Sequence, residues 1–147
     1  MAHVRKQIRD AVATTVTGLT TTGSRVFKGR FYPIQNDNLP ALCIYTASED
    51  AELGVIGTSR GSDRMLAVTV EGYAKSKTIV EDTLDQIAVE VEEAMSSDTT
   101  LGGLSKDIMY TGFDLDADAD GEQTVAVLRL NFSVRYRVAE DDVETAI

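Results

Sequence analysis

Between residues 124 and 138 apolar side chains occupy every second position: Ala126, Leu128, Leu130, Phe132, Val134, Tyr136 and Val138, with Arg129, Asn131, Ser133, Arg135 and Arg137 between them. Successive side chains of a strand point to opposite faces, so this spacing predicts one long strand with an apolar face and a cationic face. A slip of one residue would turn the whole apolar set into water, and each large member is worth about 1.5–3 kcal/mol when buried. Such a strand demands a second layer over its apolar face. Residues 108–115 and the turn Asp118-Ala119-Asp120-Gly121 make it the second arm of a β-hairpin.

Two amphipathic helices can supply that layer. Over residues 4–19, Val4, Ile8, Val12, Val16 and Leu19 recur at helical spacing, while Arg5, Lys6, Arg9 and Asp10 fall mostly elsewhere on the wheel. Gly18, the threonines 20–22 and Gly23 end it. A capping box of Thr78 and Glu81 predicts a second helix starting near Ile79. Val80, Leu84, Ile87, Val91 and Met95 form its stripe, with Glu81, Asp82, Asp85, Glu92 and Glu93 largely off it. Residues 25–32 read as extended, closed by Pro33, and residues 39–46 read as a strand covered on both faces in its middle. Residues 65–73 form a strand with Leu66, Val68 and Val70 on one face and Ala67, Thr69 and Glu71 on the other, paired with 39–46 as an extended hairpin. The expected fold class is α+β: an antiparallel or mixed β-sheet with two helices packed on one face, a long β-hairpin loop, and the opposite sheet face uncovered. The expected organisation is a single domain over residues 1–138, followed by an acidic tail, 139–147, that frays unless a neighbour holds it.

Chemistry is scarce along the chain. His3 is the only histidine, near a terminus and without a second histidine or cysteine at metal-ligand spacing, and Cys43, the only cysteine, lies in the apolar run LPALCIY. No serine sits in G-x-S-x-G, and the glycine-rich stretch 54–62 lacks the Gly-Lys-Ser/Thr ending of a phosphate loop. The sequon at Asn131 falls mid-strand. Asp116-x-Asp118-x-Asp120-Gly121 matches the first half of an EF-hand loop, but Val127 stands where the bidentate glutamate belongs and strands flank the loop. No catalytic residue, cofactor or metal is therefore expected. The formal net charge of −10 disfavours nucleic-acid binding. No stretch is long and apolar enough to span a membrane, and the first residues lack the apolar core of a signal peptide.

What remains is surface. The polar connection 47–64 exceeds the roughly 12–15 residues that a structureless loop normally has in a compact domain. Its acids Glu49, Asp50 and Glu52, its bases Arg60 and Arg64, and the pair Val55 and Ile56 between them read as a docking loop with an apolar centre and charged rim. Arg129, Arg135 and Arg137 read either as a solvated face paired across strands with acids such as Glu71, or as a protein interface; in a ring both hold.

The segment VFKGRFYPIQNDNLPALCIYTASEDAEL, residues 26–53, resembles the tail terminator and minor tail protein U-like family of long-tailed phages. The match is carried by VFKGRFYP, by the strand LPALCIYT and by the acidic SEDAE, and the order of elements is similar along nearly the whole chain. The resemblance implies a non-enzymatic virion protein, assembled in the host cytoplasm, that forms a ring, usually hexameric, on the head-proximal end of the tail tube. Its implied partners are further copies of itself, the tail tube protein and the head-completion connector, with DNA passing through the lumen unbound. Another neck component or a tail-tube subunit fits the same size, acidity and lack of chemistry; a small-molecule binding module fits less well, since no polar residues converge at strand ends. The missing closing glutamate predicts that calorimetric titration with calcium gives no dissociation constant in the sensor range of roughly 10⁻⁷–10⁻⁵ M.

Overall fold

The structure, a computed structural model, describes residues 2–29, 39–53, 60–76, 79–118 and 124–147. Helix α1 (Val4–Thr15) is followed by strands β1 (Val26–Lys28), β2 (Ala41–Leu53) and β3 (Gly61–Ser76), helix α2 (Val80–Ser97), and strands β4 (Asp107–Asp118), β5 (Thr124–Ala139) and β6 (Asp142–Ala146). The strands form one mixed sheet in the order β1-β2-β3-β5-β4, with β6 on the end of β5. β1 runs parallel to β2 and every other pair is antiparallel. α1 packs over β1, β2 and β6, and α2 over β3, β5 and β4, so the class is α+β as expected.

The core lies between the helices and one sheet face. Val4, Ile8 and Val12 of α1, and Val80, Leu84, Ile87, Val91 and Met95 of α2, are buried against Leu42, Ile44, Leu66, Val68, Val70 and the even-numbered residues 126–138 of β5. Gly72 sets how closely α2 approaches the sheet, because a Cβ there would lie 3.0 Å from Ile87 Cγ2.

Local chemistry shifts several boundaries. α1 stops at Thr15, and the hydroxyls of Thr14, Thr15 and Thr17 donate to the carbonyls of Asp10, Ala11 and Ala13, a bond that competes with helix propagation. Its N-cap is His3, whose Nδ1 accepts from the Arg5 backbone N–H at 3.0 Å. α2 begins at Val80 with Ile79 in the cap position and no side-chain cap bond; Glu81 and Asp82 in its first turn meet the positive end of the helix dipole instead. Thr78, expected to cap it, lies outside the described residues. The extended segment at 25–32 is narrower, Val26–Lys28, with residues 30–38 outside the described part.

Two expectations are corrected. The connection 47–64 is not a loop along its length: β2 continues to Leu53 and β3 starts at Gly61, in register from Ser48↔Ala67 to Leu53↔Ser62. Pairing here is carried by backbone while the outer side chains stand in water, so the sequence is polar without being loop. Residues 139–147 do not stay free either. β6 pairs with the end of β5, Val143 and Ala146 pack on the core, and Gln7 donates to the Glu144 carbonyl at 2.8 Å.

A β-bulge at Ala47, where the register jumps from Thr46↔Val68 to Ser48↔Ala67, decides which way the acids of β2 point. An extra residue inverts the alternation beyond it, so Glu49 turns to the helix side while Asp50 and Glu52 turn away. Glu49, 12% exposed, accepts from the Tyr136 hydroxyl on one oxygen and from Arg5 Nη1 (3.3 Å) and Arg64 Nη1 (3.4 Å) on the other. His3 Nε2 lies 3.5 Å from the same Arg64 nitrogen. Burial and the Glu49 charge push the Tyr136 phenol up to about 12. Burial, with Arg5 and Arg64 beside it, holds the His3 imidazole below its ordinary value near 6.5. This cluster pins the N-terminus of α1 to the sheet.

Tyr136→Phe leaves a Glu49 oxygen without its donor and is expected to cost about 1–3 kcal/mol in denaturant unfolding. Because the folded state holds the His3 proton less readily than the unfolded state, the contribution of His3 is complete above the ordinary value near 6.5 and is lost as pH falls below it through the lower folded-state value. His3→Asn keeps a capping acceptor that cannot titrate, and should flatten the thermal-stability slope between about pH 7 and pH 5.5.

Candidate assembly surfaces

The outer halves of β2 and β3 form the first surface. β1 covers the edge of β2 only from Leu42 to Ile44, so the outer side of β2 from Tyr45 to Leu53 has no neighbouring strand among the described residues. Asp50 and Glu52 are exposed there, and charge on an edge strand discourages uncontrolled pairing. On the face away from the helices, Asp50, Asp63, Met65, Asp107, Met109 and Arg135 border a shallow depression of about 380 Å³. Arg60 Nε pairs with Glu140 at 2.9 Å, and the Arg60 carbonyl accepts from the Glu140 backbone N–H at the same distance. Arg64 belongs to the buried Glu49 cluster. The seven docking-loop residues are thus dispersed: Glu49 and Arg64 point inward, Asp50 and Glu52 outward, Arg60 ties β3 to the β5–β6 turn, and Val55 and Ile56 lie outside the described residues.

Among the described residues no helix covers the second surface, the sheet face bearing the arginines, yet its centre is not open. Cys43, Thr69 and Glu71 are buried, Glu71 to 6% exposure, contrary to the expectation of an exposed Glu71. Longer neighbours lean across it: the Tyr73 hydroxyl donates to Glu71 Oε2, and Arg129 Nε stands 3.7 Å from Oε1. Arg129 Nη1 also donates to Asp114 at 2.9 Å and Asp116 at 2.6 Å, raising its already high pKa further. Arg137 faces Asp63 at 3.7 Å and lies over Gly61, where a Cβ would meet its Nε at 2.6 Å. Arg135 alone of the three is exposed; Arg129 and Arg137 are half-buried. The cross-strand pairing expected with Glu71 is present at Arg129.

Residue patterning did not reveal the third surface, a groove between α2 and β4. A bulge at Thr111, next to Gly112 with φ 147°, puts Tyr110 and Phe113 on the same side of β4 although they are three residues apart. Both face α2, and they are 44% and 61% exposed. With Leu128 and Leu130 beneath and Asp85, Ala88 and Glu92 along the rim, they border a hollow of about 140 Å³. A second hollow of about 220 Å³ continues along Ile108, Tyr110 and Phe132. The only signal in the sequence was the odd spacing of two aromatics about a glycine.

These surfaces hold few groups able to do covalent chemistry. The Cys43 thiol is pushed up to about 11, first by burial and then by Glu71, so it stays protonated at neutral pH. Asp116, the first residue of the half EF-hand pattern, is engaged by Arg129 in β4, while residues 119–123 lie outside the described part. Among the described residues no group of three or more His, Cys, Asp or Glu side chains could hold a metal ion. Among the described residues no helix is long and apolar enough to cross a membrane.

A chain in the solved virion of a native gene transfer agent (GTA) particle is similar over 90% of this chain and 92% of its own, at 15% identity and a TM-score of 0.42. No curated protein matches. The family model for phage minor tail protein U matches residues 3–136, from the cap of α1 to the tyrosine that holds Glu49. The chain therefore belongs to the phage minor tail protein U family, and is a phage tail structural protein.

Proposed function

We propose that this protein is the tail terminator: a single-domain subunit that closes into a ring, hexameric by resemblance, on the head-proximal end of the tail tube. There it stops tube polymerisation and presents the surface on which the head-completion connector docks. The observation that carries the reading is the pair of sheet flanks at opposite ends of the strand order, β1–β2 at one end and β4 at the other. Two different contact flanks suit head-to-tail assembly, and such contacts form a ring when the rotation between neighbours closes. A net charge of −10 suits a lumen through which DNA passes without adhering.

The outer β2–β3 arm, with Asp50, Glu52, Arg60 and the pair Val55 and Ile56, is the docking element for the tube or a neighbouring subunit in this reading, and Arg135 with the depression beside it is the second contact. Deleting the whole of 47–64 would remove Glu49 and the paired halves of two strands, so the informative change is smaller. Val55→Ser combined with Ile56→Ser should leave unfolding free energy within about 0.5 kcal/mol and abolish capping, giving overlong or headless tails in complementation; normal tails joined to heads would refute the docking role. Electron microscopy of the purified protein mixed with tail tubes tests the function itself. A terminator caps one end. Incorporation along the tube would instead identify a tube subunit, and a protein that ignores tubes but binds the connector would identify another neck component.

A further inference from the structure

Charge is divided across the domain along the same axis as the two flanks. α2 carries Glu81, Asp82, Asp85, Glu90, Glu92 and Glu93 and no lysine or arginine. Of these, Glu90 is held by Thr21 and Gln86, but among the described residues Asp85 and Glu92 have no cationic partner. At the other flank α1 carries Arg5, Lys6 and Arg9 against the single acid Asp10, and Asp10 is shared by Lys6 at 2.7 Å and Lys28 at 3.2 Å. One carboxylate between two ammonium groups, with Arg9 beside them, leaves the outer face of α1 locally positive in a chain whose total is −10, while Arg5 is engaged by Glu49 and the acids Asp50 and Glu52 lie further along β2.

The α2–β4 groove joins exposed aromatic rings to an acidic rim. That combination suits a lysine or arginine side chain, whose alkyl stem lies on apolar surface and whose head attracts both ring faces and carboxylates. We propose that the groove receives the basic flank of α1 from a second copy of this chain, with Lys6 and Arg9 laid over Tyr110 and Phe113 and their charges directed at Asp85 and Glu92. The proposal rests on the ring reading above and assigns its subunit contact. Complementary charge also suppresses the wrong contacts, since acidic groove against acidic groove and basic flank against basic flank both repel. Only head-to-tail association is favoured.

The test is sedimentation of the full chain, alone and with tail tubes. Asp85→Lys with Glu92→Lys reverses the groove, and Lys6→Glu with Arg9→Glu reverses the flank; Lys6 and Asp85 are exposed and Arg9 and Glu92 half-buried, and thermal unfolding checks that the variants fold. Each one-sided variant should raise the concentration needed for assembly by about tenfold or more. Mixing the two one-sided variants, or combining all four changes in one chain, should restore assembly, because the reversed surfaces again complement each other. Phe113→Ser, which changes no charge, should weaken assembly as well. One-sided variants that assemble like the wild type would overturn the groove assignment and leave the ring standing, as would failure of both the mixture and the fourfold variant to recover. A wild-type chain that stays monomeric with and without tubes would overturn the ring and this contact together.

Discussion

β5 hydrogen-bonds to three other strands and buries an unbroken row of seven side chains beneath both helices. Its backbone is satisfied on both sides by β3 and β4 along most of its length, with β6 pairing at its end, so it cannot shift register without breaking pairs on both sides at once. Every other element takes its position from that strand. α2 lies across the strands that flank it, β3 carries its alignment outward to β2, and β2 in turn holds β1. The C-terminal residues return to its last two positions and close the end of the core under α1.

On this regular frame, two single-residue irregularities determine what the surface offers. The bulge at Ala47 sends Glu49 inward, where it gathers Arg5, Arg64 and Tyr136, and leaves Asp50 and Glu52 facing outward. The bulge at Thr111 brings Tyr110 and Phe113 to the same side of the edge strand, beside the acidic helix. Each inverts the two-residue alternation beyond it. A strand therefore changes the role of its side chains without leaving the sheet, a local device that relocates charge or aromatic surface while the core stays intact.

Electrostatics follows the same division. Most arginines of the sheet already face carboxylates within the chain: Arg129 three of them, Arg64 Glu49, Arg60 Glu140, and Arg137 Asp63 at 3.7 Å, too far for its buried Nε to hydrogen-bond. The exposed pairs among these, such as Arg60 with Glu140, contribute little stability, commonly about 0.2–1 kcal/mol each, but all of them together leave few free cations on the sheet. Arg9 of α1, beside an Asp10 shared by Lys6 and Lys28, and Asp85 and Glu92 of α2 are the charges left without full compensation, at opposite flanks of a subunit from a phage tail family. That polarity can orient a subunit in an assembly even where its net contribution to affinity is modest.

The sequence by itself determined the α+β class, the core faces of β5 and of both helices and the two-layer arrangement, because alternation and helical spacing report directly which side chains must leave water; the family was legible only through the resemblance of residues 26–53, and the parallel β1–β2 pair that makes the sheet mixed came from the structure. It also carried the absence of G-x-S-x-G, of a phosphate loop and of a closing EF-hand ligand. Tertiary structure alone decided that 47–53 and 61–64 are strand, that Glu71 is buried, that the last residues form β6, and that Tyr110 and Phe113 share a groove with Asp85 and Glu92. The reason is common to all four. Polar strand halves are held by backbone pairing that hydropathy does not record, bulges flip side chains without a mark in composition, and burial of a charged residue depends on neighbours that are distant in the chain.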